Sequence, residues 1–524
     1  MSKSTTLINS EPLSSTLPLH TTETLSVWQW VHQTIVVVGI ALGAAFVLPT
    51  RISNLLGLML LVYLVILAWK NPFNGLVFSL LAQSFISMFK RIQFAHAGNL
   101  QEFNNPVSLF AQAIVLTIIV RMLWRIASTG KFRRPSPILI PITAILLCYI
   151  FSLLYTPSLI GGIFSLRGVA IPLMLYFIGR YVVSSAERIR FVLIIMAVLT
   201  IITGAYGLKQ SLAGFFSFEY QWAIQYVGIR DVGWFLVWNN VVYLRVFSTL
   251  ATPFEFAALM MIAPMLLFVV FQICADRRIQ IITLLGIAVT LGGLVATGVR
   301  GSWVGCIAGV GTYVLLWGIH LPKRITRTLM KWGIPVMLGL ALMTVIAWPK
   351  IQSRAGPIIQ RIFSLSNSLQ AGQMQMRYQR WQQAFGSTFE HPLGTGAGSS
   401  GFFGRRFGNS AAITPDSLYV QALIDFGIPG PLAFIGLFLM LIVVSYHRLT
   451  HLHDRHLRSV ATLIITMTVA IAVHGLTTPL QEGNNTIAWF WLLAGIGDNL
   501  LLIEQRAAQA ITHGFDLRPL PRLA

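Results

Sequence analysis

Charge is scarce in this chain. Only 10% of its 524 residues are charged, with 16 Asp and Glu against 37 Lys and Arg, while 55% are hydrophobic and mean hydropathy is +0.73. Soluble domains carry about 25% charged residues, so this composition excludes an ordinary water-soluble enzyme. Cysteine is scarcer still: Cys148, Cys274 and Cys306 all lie in apolar runs, so no exported disulfide or metal framework is implied. No Asp-x-Asp pair occurs, which argues against the carboxylates that commonly hold a metal in nucleotide-sugar transferases. No metal or other cofactor is expected, and no nucleic acid as partner. The Ser/Thr-rich residues 1–28 lack a basic segment followed by a cleavage site, so they read as a flexible cytoplasmic tail. Internal repeats are not evident.

What the chain has in abundance is apolar length. A bilayer core of roughly 30 Å takes about 20 helical residues. Suitable runs recur at 32–49, 53–69, 73–89, 107–124, 136–155, 160–180, 189–207, 250–273, 279–297, 302–320, 332–348, 430–446, 459–477 and 485–503. The expected fold is an all-α polytopic membrane protein of about fourteen transmembrane helices. Loops bearing Arg125, Lys131, Arg133 and Arg134, then Arg188 and Arg190, Arg277 and Arg278, Lys323, Arg324, Arg327 and Lys331, and Arg448, Arg455 and Arg458 fall on one side if both termini are cytoplasmic. The segments are then helices in 29–207, a first outer loop at 208–249, helices in 250–348, a large outer loop at 349–429, helices in 430–503 and a cytoplasmic tail at 504–524.

The large outer loop breaks the charge rule. Residues 350–406 hold Lys350, Arg354, Arg361, Arg377, Arg380, Arg405 and Arg406 against one acid, Glu390. They fit a solvated face near anionic headgroups, or a site for an anionic substrate, since arginine forks match phosphate oxygens. Arg167, Arg245 and Arg300 stand near the outer ends of apolar runs, where they either snorkel to the interface or line one cationic pocket. The stretch "GTGAGSSGFFG" suits a flexible gate or a backbone cradle for phosphate. Tyr220, Trp222, Tyr226, Trp234 and Trp238 suit sugar stacking or an interfacial belt. The histidines of "HLHDRHLR" lack a convincing ligand spacing.

Four segments resemble the O-antigen ligase and O-antigen polymerase superfamily. "ATGVRGSWVG" is similar to its Ser-Arg-Gly-x-Trp helix start, with Val299 in the place of Ser, and "RVFSTLATPFEFAALM" to an Arg-x-x-Gly-x-x-x-x-Pro-Asn segment, with Ser248 and Phe254 departing. "RYQRWQQAFGSTFEHPLGTGAGSSGF" and "DSLYVQALIDFGIPG" resemble the segments that follow. The resemblance implies a glycosyltransferase C-like fold and transfer of a glycan from undecaprenyl diphosphate to a glycan acceptor, amid membrane lipids. It also implies a flippase and a chain-length regulator as neighbours. Arg300 and Arg245 match the family's functional arginines, Arg377 is a third, and Arg167 rests on depth alone; these would bind the diphosphate.

Few groups remain to serve as the base. Asp416 stands where ligases of the family carry a histidine, and it reads equally as base or helix N-cap. His391 is the other candidate, though "EHPLG" also reads as a turn. The carboxylate resembles the polymerase pattern more than the ligase transferring to lipid A core. The alternatives are that ligase, a transporter of anions or lipid-linked glycans, and an envelope scaffold.

Overall fold

A computed structural model describes residues 50–97, 109–130, 135–227, 234–238, 241–320, 372–408, 415–479 and 485–512. Among these residues the chain is helical apart from one antiparallel hairpin, β1 (Phe235–Trp238) with β2 (Val241–Leu244), in which Phe235 pairs with Leu244. The helices are α1 (Thr50–Lys70), α2 (Pro72–Ala97), α3 (Phe110–Thr129), α4 (Leu139–Ser152), α5 (Leu159–Val182), α6 (Ala186–Ala213), α7 (Ser217–Val227), α8 (Pro253–Ile273), α9 (Arg277–Ala296) and α10 (Arg300–His320). After them come α11 (Gly372–Glu390), the short α12 (Gly401–Phe403) running into a π turn at Gly404–Gly408, α13 (Leu418–Phe426), α14 (Pro429–His451), α15 (Arg455–His474), α16 (Asn485–Gly497) and α17 (Leu500–Thr512).

Of the predicted spans, 32–49 and 332–348 lie outside the described residues, 485–503 covers α16 and the start of α17, and each of the others falls on a single helix. Fewer qualify as full crossings: among the described residues 8 helices are long and apolar enough, or 9 if α16 and α17, bent by 42° at their junction, form one span. The α4 helix has only 14 residues, about 21 Å at 1.5 Å per residue, short of a full hydrocarbon core.

Local chemistry fixes the helix ends. Ser158, Ser185, Thr252, Asp276 and Asp454 each accept a first-turn backbone N–H at the start of α5, α6, α8, α9 and α15, meeting donors that a helix leaves open. The apolar α8 forms the centre of the bundle, packed by α6, α9, α10 and α15.

A charged knot closes one end of the bundle. Asp498, at the α16–α17 bend, takes Arg180 Nε at 2.9 Å, the Arg448 guanidinium, Ser136 Oγ at 2.7 Å and Tyr176 OH at 2.9 Å. Arg448, a loop topology signal by sequence, is a buried residue of α14. At the opposite end gather the start of α5, the 245–252 loop, the start of α10, the 391–401 loop and the end of α15.

Candidate active site at one end of the bundle

The nonapeptide "TGVRGSWVG" is accounted for residue by residue. Gly298 turns the chain after α9 with φ of +64°, a conformation glycine adopts without strain. The Thr297 hydroxyl accepts the Val299 N–H at 3.2 Å, and the Trp303 indole donates back to Leu294 O at 3.0 Å. Gly301, Gly305 and Gly309 then form one flat stripe along α10. A Cβ at Gly301 would run into Thr477, and one at Gly305 would lie 2.9 Å from Ala470 O. Small residues on such a stripe let membrane helices approach closely, so α10 is seated on α15 and the half-buried Arg300 is carried to the turn that ends α15.

That turn, residues 474–477, receives a second element. Ser417 Oγ donates to Gly475 O at 3.1 Å, Leu418 N to the same oxygen at 2.8 Å, and Tyr419 OH to Ala472 O at 2.9 Å. Arg300 and Asp416 therefore flank one turn through their sequence neighbours. Ser417 occupies the N-cap position of α13, which corrects the reading of Asp416 as the cap. Half-exposed Asp416 instead faces α11, where Arg380 Nη1 lies 3.3 Å from its Oδ2.

The other predicted residues are placed less uniformly. Arg245 is buried behind the hairpin: its N–H donates to Trp234 O at 2.8 Å and its guanidinium carbon is 5.7 Å from the Phe254 ring centre, at the start of α8. Arg167, on α5, donates to Gln112 of α3 and lies 5.7 Å from the Phe164 ring, joining two helices. Arg377 lies on α11, with its side chain outside the described atoms. His391 ends α11 on an exposed turn closed by Gly394 N to His391 O at 2.8 Å, which matches its reading as a turn residue.

The glycine-rich segment is a fastened loop. Thr395 N reaches Ile424 O at 2.8 Å, Gly396 N reaches Asp425 O at 3.0 Å, Ala397 N reaches Ser152 Oγ at 3.1 Å, and Thr156 Oγ1 reaches Ala397 O at 2.9 Å. Gly398 has φ of +68°, and a Cβ there would lie 2.5 Å from Gly161 O. The loop is thus pinned between the end of α4, the start of α5 and the end of α13, an anchored platform where a mobile gate was the alternative.

Two groups at this end were passed over by sequence reasoning. Asp425 is fully buried: Oδ1 accepts Ser399 Oγ at 3.0 Å, Ser400 N at 3.1 Å and Ser400 Oγ at 2.6 Å. Its Oδ2 has no hydrogen-bond partner among the described residues, and burial pushes the carboxyl up to about 6. His474, also buried, has Nδ1 3.4 Å from Ser302 Oγ, and its Nε2 lacks a partner among the described residues. Nothing next to either residue in sequence marks it as buried, since the partners that enclose them, Ser399 and Ser400 for Asp425 and Ser302 for His474, lie elsewhere in the chain. Trp222 and Trp234 are likewise buried together with Phe247, the Trp234 ring centre 5.3 Å from each of the other two, so neither is a stacking surface or an interfacial belt.

No curated protein matches the chain. Residues 285–435 match the family described as O-antigen ligase. The matched stretch runs from α9 into α14 and contains Arg300, Arg377, His391, the glycine loop, Asp416 and Asp425. This match, set among apolar helices long enough to cross a membrane, supports the resemblance of the chain to the O-antigen ligase and polymerase superfamily.

Proposed function

We propose that the chain is the polymerase of this pair. It joins undecaprenyl-diphosphate-linked oligosaccharide repeats into an exopolysaccharide or O-antigen on the outer face of the inner membrane. The observation that carries this proposal is that Gly301 and Ser417, the neighbours of Arg300 and Asp416, both pack on the 474–477 turn, which brings a cation and a carboxylate to one corner of the bundle.

Two tasks are divided between them. The acceptor hydroxyl attacks the anomeric carbon of the donor and gives its proton to a base. The bond from that carbon to the diphosphate oxygen breaks, and its electron pair leaves with the diphosphate. Arg300, with Arg245, Arg377 and Arg167 as further cations, would neutralise that charge. Guanidinium charge fixed in place serves where other transferases use a divalent ion. Asp416 is favoured over His391 as base because it flanks the same turn as Arg300, whereas His391 sits on an exposed turn.

The basic loops of the opposite end support an orientation with both termini in the cytoplasm. Mixing the purified protein with a polyprenyl-diphosphate oligosaccharide tests the proposal. Lengthened lipid-linked glycan is expected, whereas transfer only to an added lipid A core would make it a ligase. Vesicle uptake without bond formation would make it a transporter.

A further inference from the structure

Arg91, in the last turns of α2, has 0% of its surface exposed, a costly state for a guanidinium unless its donors are met. Its Nη2 donates to Ser248 O at 2.7 Å and Leu250 O at 3.2 Å, and its Nε to Ser87 O at 3.2 Å. Nη1 lies 3.7 Å from Glu219 Oε1, and the Phe247 ring centre is 4.5 Å from the guanidinium carbon. Glu219 in turn accepts Tyr206 OH at 2.9 Å, Gln210 Nε2 at 2.8 Å and Phe216 N at 3.1 Å. Gln210 Oε1 takes the N–H of Ser248 at 2.7 Å and of Phe247 at 3.3 Å, while Ser248 Oγ donates to Thr203 O at 2.6 Å.

Arg91 and Gln210 grip the backbone of 247–250 directly, two residues past Arg245, and Glu219 braces both of them. Ser248 is held there at φ of +54°, a left-handed conformation that a residue with a side chain keeps only when its surroundings over-determine it, most often at functional sites. Helix initiation does not call for this grip, because α8 is already started by the Thr252 cap, Pro253 and Glu255. The element left to be fixed is Arg245, whose own N–H is tied to Trp234 on the other side.

We infer that Arg91, with Glu219 and Gln210, forms a buried positioning clamp that aims Arg245 at the lipid-linked diphosphate. The inference rests on Arg245 being a diphosphate ligand, as proposed above. Arg91 touches no substrate and acts only through the loop. A buried polar network of this kind holds its members in one geometry and loses it when one of them goes.

A double-mutant cycle read as affinity for undecaprenyl diphosphate in lipid nanodiscs tests the clamp. Arg91→Lys keeps the charge but has one ammonium where Nη2 meets Ser248 O and Leu250 O while Nε is tied to Ser87 O, so it loses the planar, doubly tethered geometry and is expected to weaken binding roughly tenfold. In an Arg245→Lys background the same change is expected to cost nothing further, with Tm close to that of the parent in both. Equal losses in both backgrounds would mean a general structural role and overturn the clamp. Unchanged binding by Arg91→Lys, with binding lost in Arg245→Lys, would overturn the clamp and leave Arg245 a ligand. Full binding by Arg245→Lys would remove the ligand role and the clamp with it. If Arg91→Lys does not fold, Gln210→Met, which loses the acceptor for Ser248 N–H, carries the same cycle with the same outcomes.

Discussion

Arg380 Nη1 lies 3.3 Å from Asp416 Oδ2, and Ser417, one residue on, takes the N-cap position of α13. Asp416 is therefore released from the duty of starting that helix, and its carboxylate is held on a half-exposed cation. Such a pair contributes about 0–1 kcal/mol to stability. Asp416→Asn should leave protein level and Tm nearly unchanged and abolish glycan lengthening. Full polymer from this variant would move the base role to His391.

Asp425 supplies a prediction with a sign. Burial raises its carboxyl from the ordinary 3.8 to about 6, so between those values the folded state binds more protons than the unfolded state. Stability falls as pH rises through that window and levels off above it. Asp425→Asn keeps an acceptor for Ser399 and Ser400 and removes the buried charge, so melting curves from pH 4 to 7.5 should lose this component. Asp425→Ala orphans those donors and should cost on the order of 3 kcal/mol. An Asn variant with the parent pH profile would show that Asp425 is not the titrating group.

The knot at the other end yields a third. Arg448 meets the buried carboxylate of Asp498 beside Arg180. Arg448→Ala should destabilise by about 3 kcal/mol, the cost of opening a buried pair. Arg277, exposed at the start of α9, should tolerate the same change within about 0.5 kcal/mol. Thermal unfolding in detergent measures both, and equal Tm values would contradict the assignment of the knot.

The contrast between Arg448 and Arg277 also shows what the sequence can carry. Apolar runs marked the helices because crossing a bilayer is a demand on local composition. The basic loops marked one end because that signal is additive along the chain. Nothing local distinguishes Arg448 from Arg277, however, since the difference is Asp498, fifty positions along. Arg91 sits in "FKRIQ" like any cation at a membrane edge, and its partners Ser248 and Leu250 are 157 and 159 positions away. The turn before Arg300 was legible for the opposite reason, since Gly298 and Trp303 act on neighbours in the same stretch, whereas Gly301 and Gly305 pack on Thr477 and Ala470 of a distant helix end. Asp416 was only half legible, as one residue of register separates cap from neighbour.

Arg300 carries the central claim, and Arg300→Lys tests it most directly. If the side chain merely reaches for headgroups, lysine serves as well, since both place a charge on a long apolar stem. If it grips a leaving diphosphate, an ammonium cannot reproduce the planar paired donors, and one preorganised donor is worth about 3 kcal/mol in a transition state. Glycan transfer by purified Arg300→Lys, compared with Arg277→Lys, is expected to fall at least roughly a hundredfold at equal protein level and Tm, while the control keeps parental activity. Equal activity of the two variants would contradict the account.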